Sequence, residues 1–457
     1  MDKVLVKRYL FFLLSIIGYL LFAFYLQRPN TIDLFIVYFL LFLLYWQISK
    51  SENKKEIQFW LGAGIFFRII FLFSIPNLSD DFYRFIWDGR LLASGLHPFS
   101  HLPSYYIENK ITIVGVDQQL FEKLNSPNYF TIYPPVNQFI FFLAAKVSGN
   151  SITGSIVTMR LFIIASEIGS FIVIKKLLQY YKLPEKNILL YALNPLVVIE
   201  LTGNLHFEAL MIFFLLWSIW LLIQHKNLIS ALSFNLAICS KLLPIIILPL
   251  LLARLGFKQF LIYGSLVLIF CILAFLPLLK VDIILGFSQS IGYYFNKFEF
   301  NASLYYLVRE WGFWKYGYNI IQTVGWKLGA WCAAAILLFT IIEGYFRKSI
   351  VTGQWSVVRS LQSTINSQLF SSCLFIFTIY FSFATVVHPW YVTTLVAFSI
   401  FTRFRFPVLW SALIFLTYAG YSSEGFTENL WLVTTEYAMV FGYLATELLW
   451  KQKEPLY

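Results

Sequence analysis

Between Ser79 and His101 the chain reads SDDFYRFIWDGRLLASGLHPFSH, which places Asp80, Asp81, Asp88, Arg84, Arg90, His97 and His101 in one short stretch. Carboxylates this close together suit two kinds of chemistry. One can accept a proton as a general base if its neighbour is neutralised, or a pair can hold a divalent cation. At helical spacing Asp81, Arg84 and Asp88 share a face and Asp80 lies one turn from Arg84. An Asp80–Arg84 pair would leave another aspartate free to take a proton. Metal binding is the weaker alternative, because no further acidic ligands follow at regular spacing, and no metal site or firm cofactor is expected. The bland reading is a solvated loop with surface ion pairs, against which Trp87 and Gly89 in the middle of the stretch argue.

Four polar residues far along the chain could join this site. His206 and Glu208 stand two apart in TGNLHFE, where Thr202 and Asn204 would equally serve as caps for a helix starting near Phe207. Lys241 sits among Leu, Ile and Pro in SKLLP and has few structural uses there, so an anion-binding role is favoured. His388 opens HPWY, where Trp390 and Tyr391 are also ordinary interfacial anchors.

The elements that must position these residues are membrane helices. Of 457 residues 59% are hydrophobic and only 12% charged, which excludes a soluble protein. Apolar runs of bilayer length recur throughout and lack barrel alternation, so the expected fold is an all-α polytopic membrane protein with about 11–13 transmembrane helices in a single domain over 1–457. The net charge of +11 lies in short loops, which fits topology signals and lipid headgroups and excludes a nucleic-acid partner. Cys239, Cys271, Cys332 and Cys373 lie inside apolar runs without paired spacing and read as packing.

Helices are expected at 9–26, 32–48 and 59–76, with Lys3, Lys7, Arg8, Lys50, Lys54 and Lys55 marking the cytoplasmic side. The third helix then delivers Ser79 to the opposite face, and 77–130 becomes an extracytoplasmic loop containing a helix along the membrane surface. Runs at 136–147 and 152–174, the latter carrying Arg160 and Glu167, are expected to cross only once between them. A helix is expected at 187–202 with Asn194-Pro195 inside it, rising to the outer face, and 228–253 splits into two half-helices that meet near Lys241. A second external loop, 280–325, holds Asn301-Ala302-Ser303. Helices follow near 259–279, 327–345, 366–386, 392–402, 406–421 and 430–450, with both termini cytoplasmic. The tracing gathers Asp80, Asp81, Arg84, Asp88, His206, Glu208, Lys241 and His388 on one face of the membrane.

These residues carry a resemblance. SDDFYRFIWDGRLLASGLHPF, YPP, ALNPL with GNLHFEAL, SKLLP, FNASLYYL and HPWY, in this order over about residues 60–400, resemble the GT-C superfamily of integral-membrane glycosyltransferases, especially polyprenol-phosphate-mannose-dependent mannosyltransferases. Glu208 stands where relatives often carry Asp, and His97-Pro98 where they often have Asn-Pro. The resemblance implies a polyprenyl-phosphate sugar donor and a glycolipid or polysaccharide acceptor. It implies Asp81 or Asp80 as base in an inverting displacement, and Lys241, His206 and Arg84 facing the leaving phosphate. The expected location is a bacterial plasma membrane with the active site extracytoplasmic. The alternative from another class is a secondary transporter or lipid-linked-sugar flippase, which would call for ionisable residues in both membrane halves and an internal repeat.

Overall fold

The computed structural model describes residues 3–278, 292, 297–351, 368–422 and 425–450. Arg359, Lys451, Lys453 and most of 280–296 lie outside these residues, so the second expected loop is described only at Gly292 and from 297 onward.

Capping and proline signals set the helix ends. The N-terminal helices are α1 (Lys3–Phe24), α2 (Thr31–Ile48) and α3 (Lys54–Ile70), the last started by Asn53, whose side chain accepts from the Lys55 amide. The polar stretch forms α4 (Asp81–Ala93), and the long connection after it contains α5 (Pro103–Glu108) and α6 (Gln118–Phe121). Pro135 opens α7 (Pro135–Ser148), and Ser151 caps α8 (Ile152–Tyr180) by accepting from the Gly154 amide. With 14 residues, α7 is ~21 Å long and too short for a ~30 Å hydrocarbon core, whereas the 29 residues of α8 exceed it. This fits one crossing between the two.

Further on the helices break. The short α9 (Leu189–Ala192) ends at Asn194-Pro195, and a π-helical segment, Val197–Gly203, then turns by 109° into α10 (Glu208–Ile223). Next, α11 (Asn227–Ser240) stops at Lys241, which adopts extended backbone before a tight 3-10 turn at Leu243–Ile247 and α12 (Leu248–Leu255). Pro244, near the start of that turn, has no N–H to continue the ladder. The expected half-helices therefore meet at Lys241.

The chain continues through α13 (Phe257–Phe275), α14 (Leu304–Tyr316), α15 (Ile321–Val351), α16 (Gln368–Phe383), α17 (Val392–Ser399), α18 (Phe406–Leu413) and α19 (Leu430–Trp450). A two-residue hairpin, β1 (Tyr421–Ser422) against β2 (Gly425–Phe426), precedes α19. Among the described residues five helices are long and apolar enough to cross a membrane, and six with the bent pair; four shorter apolar helices account for other hydrophobic runs. The protein is an all-α polytopic membrane protein.

The long helices α1, α13 and α15 carry exposed apolar residues such as Leu13, Ile17, Leu268, Ile272, Leu337 and Ile341, a surface suited to lipid. The short and broken helices around α8, α10 and α11 form the buried centre. Two arginines lock it. Arg68 donates to Glu167 through Nε (2.9 Å) and Nη2 (2.6 Å), and Tyr191 Oη donates to the same carboxylate (2.5 Å). Among the described residues Arg160 has no carboxylate partner, and it donates to the carbonyls of Phe71, Leu72, Ser74, Thr202 and Gly203. It thereby joins the end of α3 to the turn that leads into α10.

Candidate active site

The helix α4 presents the aspartates because it packs tightly on α7. A side-chain carbon at Gly89 would lie 2.2 Å from the Phe141 carbonyl oxygen, so only glycine admits this approach. Phe85 stacks on Phe141 with ring centres 4.7 Å apart. The buried charges of α4 then hold the connection that follows it. Arg84 pairs with Asp88 (Nε to Oδ1, 2.8 Å) and donates to the carbonyls of Ser126 (2.9 Å) and Tyr129 (2.8 Å). Gln138 of α7 donates to Asp88 Oδ2 at 3.1 Å, while Arg90 reaches the carbonyls of Gly115 and Asn150.

This arrangement corrects one expectation. Arg84 takes Asp88, one turn toward the C-terminus, instead of Asp80. Arg84 and Asp88 are 3% and 0% exposed, Arg84 engaged by the connection and Asp88 by Arg84 and Gln138. The folded-back connection in turn brings two donors to Asp81. Asn125 Nδ2 donates to Oδ1 at 2.6 Å and Tyr133 Oη to Oδ2 at 3.4 Å. Asp80 is taken by Arg28 from the α1–α2 connection. The three aspartates thus have three different sets of partners, and among the described residues no group of three or more His, Cys, Asp or Glu converges as a metal site.

The chain breaks further on supply the other wall. Glu208, the first residue of α10, is 2% exposed and forms an ion pair with Lys241 Nζ. Asn137 of α7 donates to the Ser240 carbonyl at 3.0 Å and so pins the break that carries Lys241. The ammonium also lies 4.6 Å from the centre of the Tyr391 ring, a cation–π distance. His206 stacks on Trp390 at 3.6 Å, and His388 covers the same indole at 4.3 Å. Glu200, which accepts from Tyr418 Oη (2.7 Å) and Asn204 (3.1 Å), stands 3.6 Å from His206 Nε2. Phe300 pairs with the strand-like residues beside HPWY, donating to Thr385 O at 3.0 Å and accepting from Val387 N at 2.8 Å. FNAS is therefore a structural neighbour of HPWY, and Asn301 is fully buried against Glu436.

Electrostatics separates the groups. Surrounding protein pushes the Asp81 carboxyl above the usual carboxylate range, an effect opposed by Asn125, Lys241 and Tyr133 and reinforced by Asp80. Burial, and then Lys241, pushes His388 well below the ordinary imidazole range, so near neutral pH it is an uncharged ring. Asp81, Glu208 and Lys241, with His206 and His388 behind them, come together from four separate parts of the chain. Sequence reasoning missed Arg28, Asn125, Tyr133 and Glu200, and read Trp390 and Tyr391 as interfacial anchors. YPP ahead of a helix carried a signal for Tyr133; a single arginine in a short loop carries none.

Comparison with known proteins then decides the relationship. The family model described as alpha-(1->6)-mannopyranosyltransferase, N-terminal domain, matches residues 8–255, more than half of the chain. The chain belongs to this family. It is also 28% identical over 185 residues to alpha-(1->6)-mannopyranosyltransferase A of Mycobacterium tuberculosis (strain ATCC 25618 / H37Rv), an alignment covering 39% of this chain and 34% of that protein. The chain thus matches about a third of that relative's length. The region matched to the mannopyranosyltransferase family contains Arg28, Asp80, Asp81, Tyr133, His206, Glu208 and Lys241, whereas His388 and Trp390 lie beyond it.

Proposed function

We propose that the protein is an integral-membrane mannosyltransferase that moves mannose from a polyprenyl-phosphate donor to a glycolipid or polysaccharide acceptor on the extracytoplasmic face. The observation that carries this reading is a half-buried Asp81 with neutral hydrogen-bond partners, set opposite Lys241. The acceptor hydroxyl attacks the anomeric carbon as the carbon–oxygen bond to the lipid phosphate breaks, and its proton passes to Asp81. A single displacement inverts the anomeric centre. Lys241, drawn from Glu208 toward the departing phosphate, balances the negative charge that develops there.

An apolar cavity of about 730 Å³ supports a lipid donor. Val136 and Phe139 of α7, Phe162 of α8, Phe213 of α10 and Leu273 of α13 line it. Gln138, which also lines it, donates to Asp88 of α4, the helix that begins at Asp81. The mannosyltransferase relatives favour mannose as the sugar.

The test is transfer of labelled mannose from synthetic polyprenyl-phosphate mannose by purified protein in vesicles without any ion gradient. Turnover with inverted product anomers supports the reading. Donor crossing the bilayer without transfer would favour a flippase.

A further inference from the structure

Two ionised carboxylates next to one another raise each other's proton affinity, which spoils the choice of a single base. The structure treats Asp80 and Asp81 differently. Arg28 pairs through Nη2 with Asp80 Oδ2, and its guanidinium lies 4.8 Å from the centre of the Tyr421 ring. The arginine is thus held between the C-terminal hairpin and the aspartate stretch, with its side chain only 23% exposed. Asn77 Nδ2 donates to the Phe22 carbonyl at 3.4 Å, which ties the end of α1 beside the same stretch. Asp81, by contrast, has no cation within ion-pair distance among the described residues; its hydrogen-bond partners, Asn125 and Tyr133, are neutral.

Resting on the transferase reading above, we propose that Arg28 is a positioning residue of the active site. It neutralises Asp80 and so leaves Asp81 as the carboxylate that takes the acceptor proton. The charged and titratable groups facing Asp81 are Asp80, Tyr133 of the α6–α7 connection, Lys241 at the end of α11 and Tyr421 of β1, with Glu208 beyond Lys241. Of these only Lys241 is a cation, and Glu208 already shares its charge. Removing Arg28 leaves the Asp80 charge unbalanced beside Asp81. Asp81 then holds its proton to higher pH, and the base is lost over a wider acidic range.

The test uses the full chain in vesicles with synthetic polyprenyl-phosphate mannose, measuring kcat/KM against pH. Arg28→Met moves the acidic limb of the profile upward by about half a pH unit or more, as expected for a nearby like charge. Arg28→Lys stays near the wild type, and adding Asp80→Asn to Arg28→Met returns the limb toward its original position. Asp80→Asn alone, which leaves the arginine unpaired beside Asp81, moves the limb down. Infrared titration of the carboxyl band removed by Asp81→Asn reads the same shifts without turnover. If the wild type shows no transfer but the band shifts as stated, the charge device stands and the transferase reading falls. A band and limb unmoved by both Arg28→Met and Asp80→Asn, or a shift that persists in the double variant, overturns the role of Arg28.

Discussion

Asp81→Asn is the substitution on which the chemistry turns. The change keeps the side chain's size, and its neighbours can adapt: the new amide oxygen can still accept from Asn125 Nδ2, and the new NH2 can donate to Tyr133 Oη, now 3.4 Å away. The fold should therefore survive, with unchanged size-exclusion behaviour and thermal unfolding in detergent. The group removed is the proton acceptor, whose help is worth ~10²–10⁴ in rate. At about 1.4 kcal/mol per tenfold this is ~3–5.5 kcal/mol of transition-state stabilisation. Single-turnover transfer of labelled mannose from polyprenyl-phosphate mannose should fall by that factor, with donor binding nearly unchanged. Asp80→Asn, whose charge is already paired with Arg28, should cost far less. Transfer by Asp81→Asn within about tenfold of wild type would refute the base assignment.

Three further outcomes follow from the same geometry. Lys241→Ala should raise the KM for donor more than for acceptor. It should also lower thermal stability, because Glu208 is left 2% exposed without its cation, and Glu208→Gln in the same chain should recover part of that loss. Gly89→Ala should separate α4 from α7 and cost ~1–3 kcal/mol or more, read as a lowered unfolding temperature with transfer reduced in parallel. Glu428, in the turn before α19, is pushed up to about 7 by burial. Because its folded value lies above the ordinary carboxylate value, its contribution to stability is full below about pH 4.5 and is lost as pH rises through about 7. Glu428→Gln should flatten thermal stability across that window, and an unchanged slope would exclude Glu428 as its source.

The helices were largely legible in the sequence because lipid demands long apolar runs and punishes breaks. The half-helix junction at Lys241 could be read because a lysine next to a proline has no comfortable place inside a span. Counting crossings led to the expectation that Asp81, Glu208 and Lys241 share a face, and the ion pair of Glu208 with Lys241 joins two of them. Pairing within α4 could not be read that way: spacing allows Arg84 either Asp80 or Asp88, and the choice is made by Ser126, Tyr129 and Gln138, which come from the folded connection and α7. The same connection hides Asn125, whose distance in sequence from Asp81 gives no sign that they meet. Arg28 was illegible for a related reason, since basic residues in short loops of membrane proteins ordinarily report orientation.

Arg160 bears on how such a molecule is made. Its guanidinium sits within the longest apolar helix of the first half of the chain, and its acceptors are carbonyls from the end of α3 and from the turn before α10. An α8 released alone into lipid would carry that charge bare, at a cost of several kcal/mol. The carbonyls of residues 71–74 are synthesised before α8 and those of 202–203 some forty residues after Arg160. Arg160 is therefore satisfied only where α3, α8 and the root of α10 meet, which makes these three segments one unit of membrane folding.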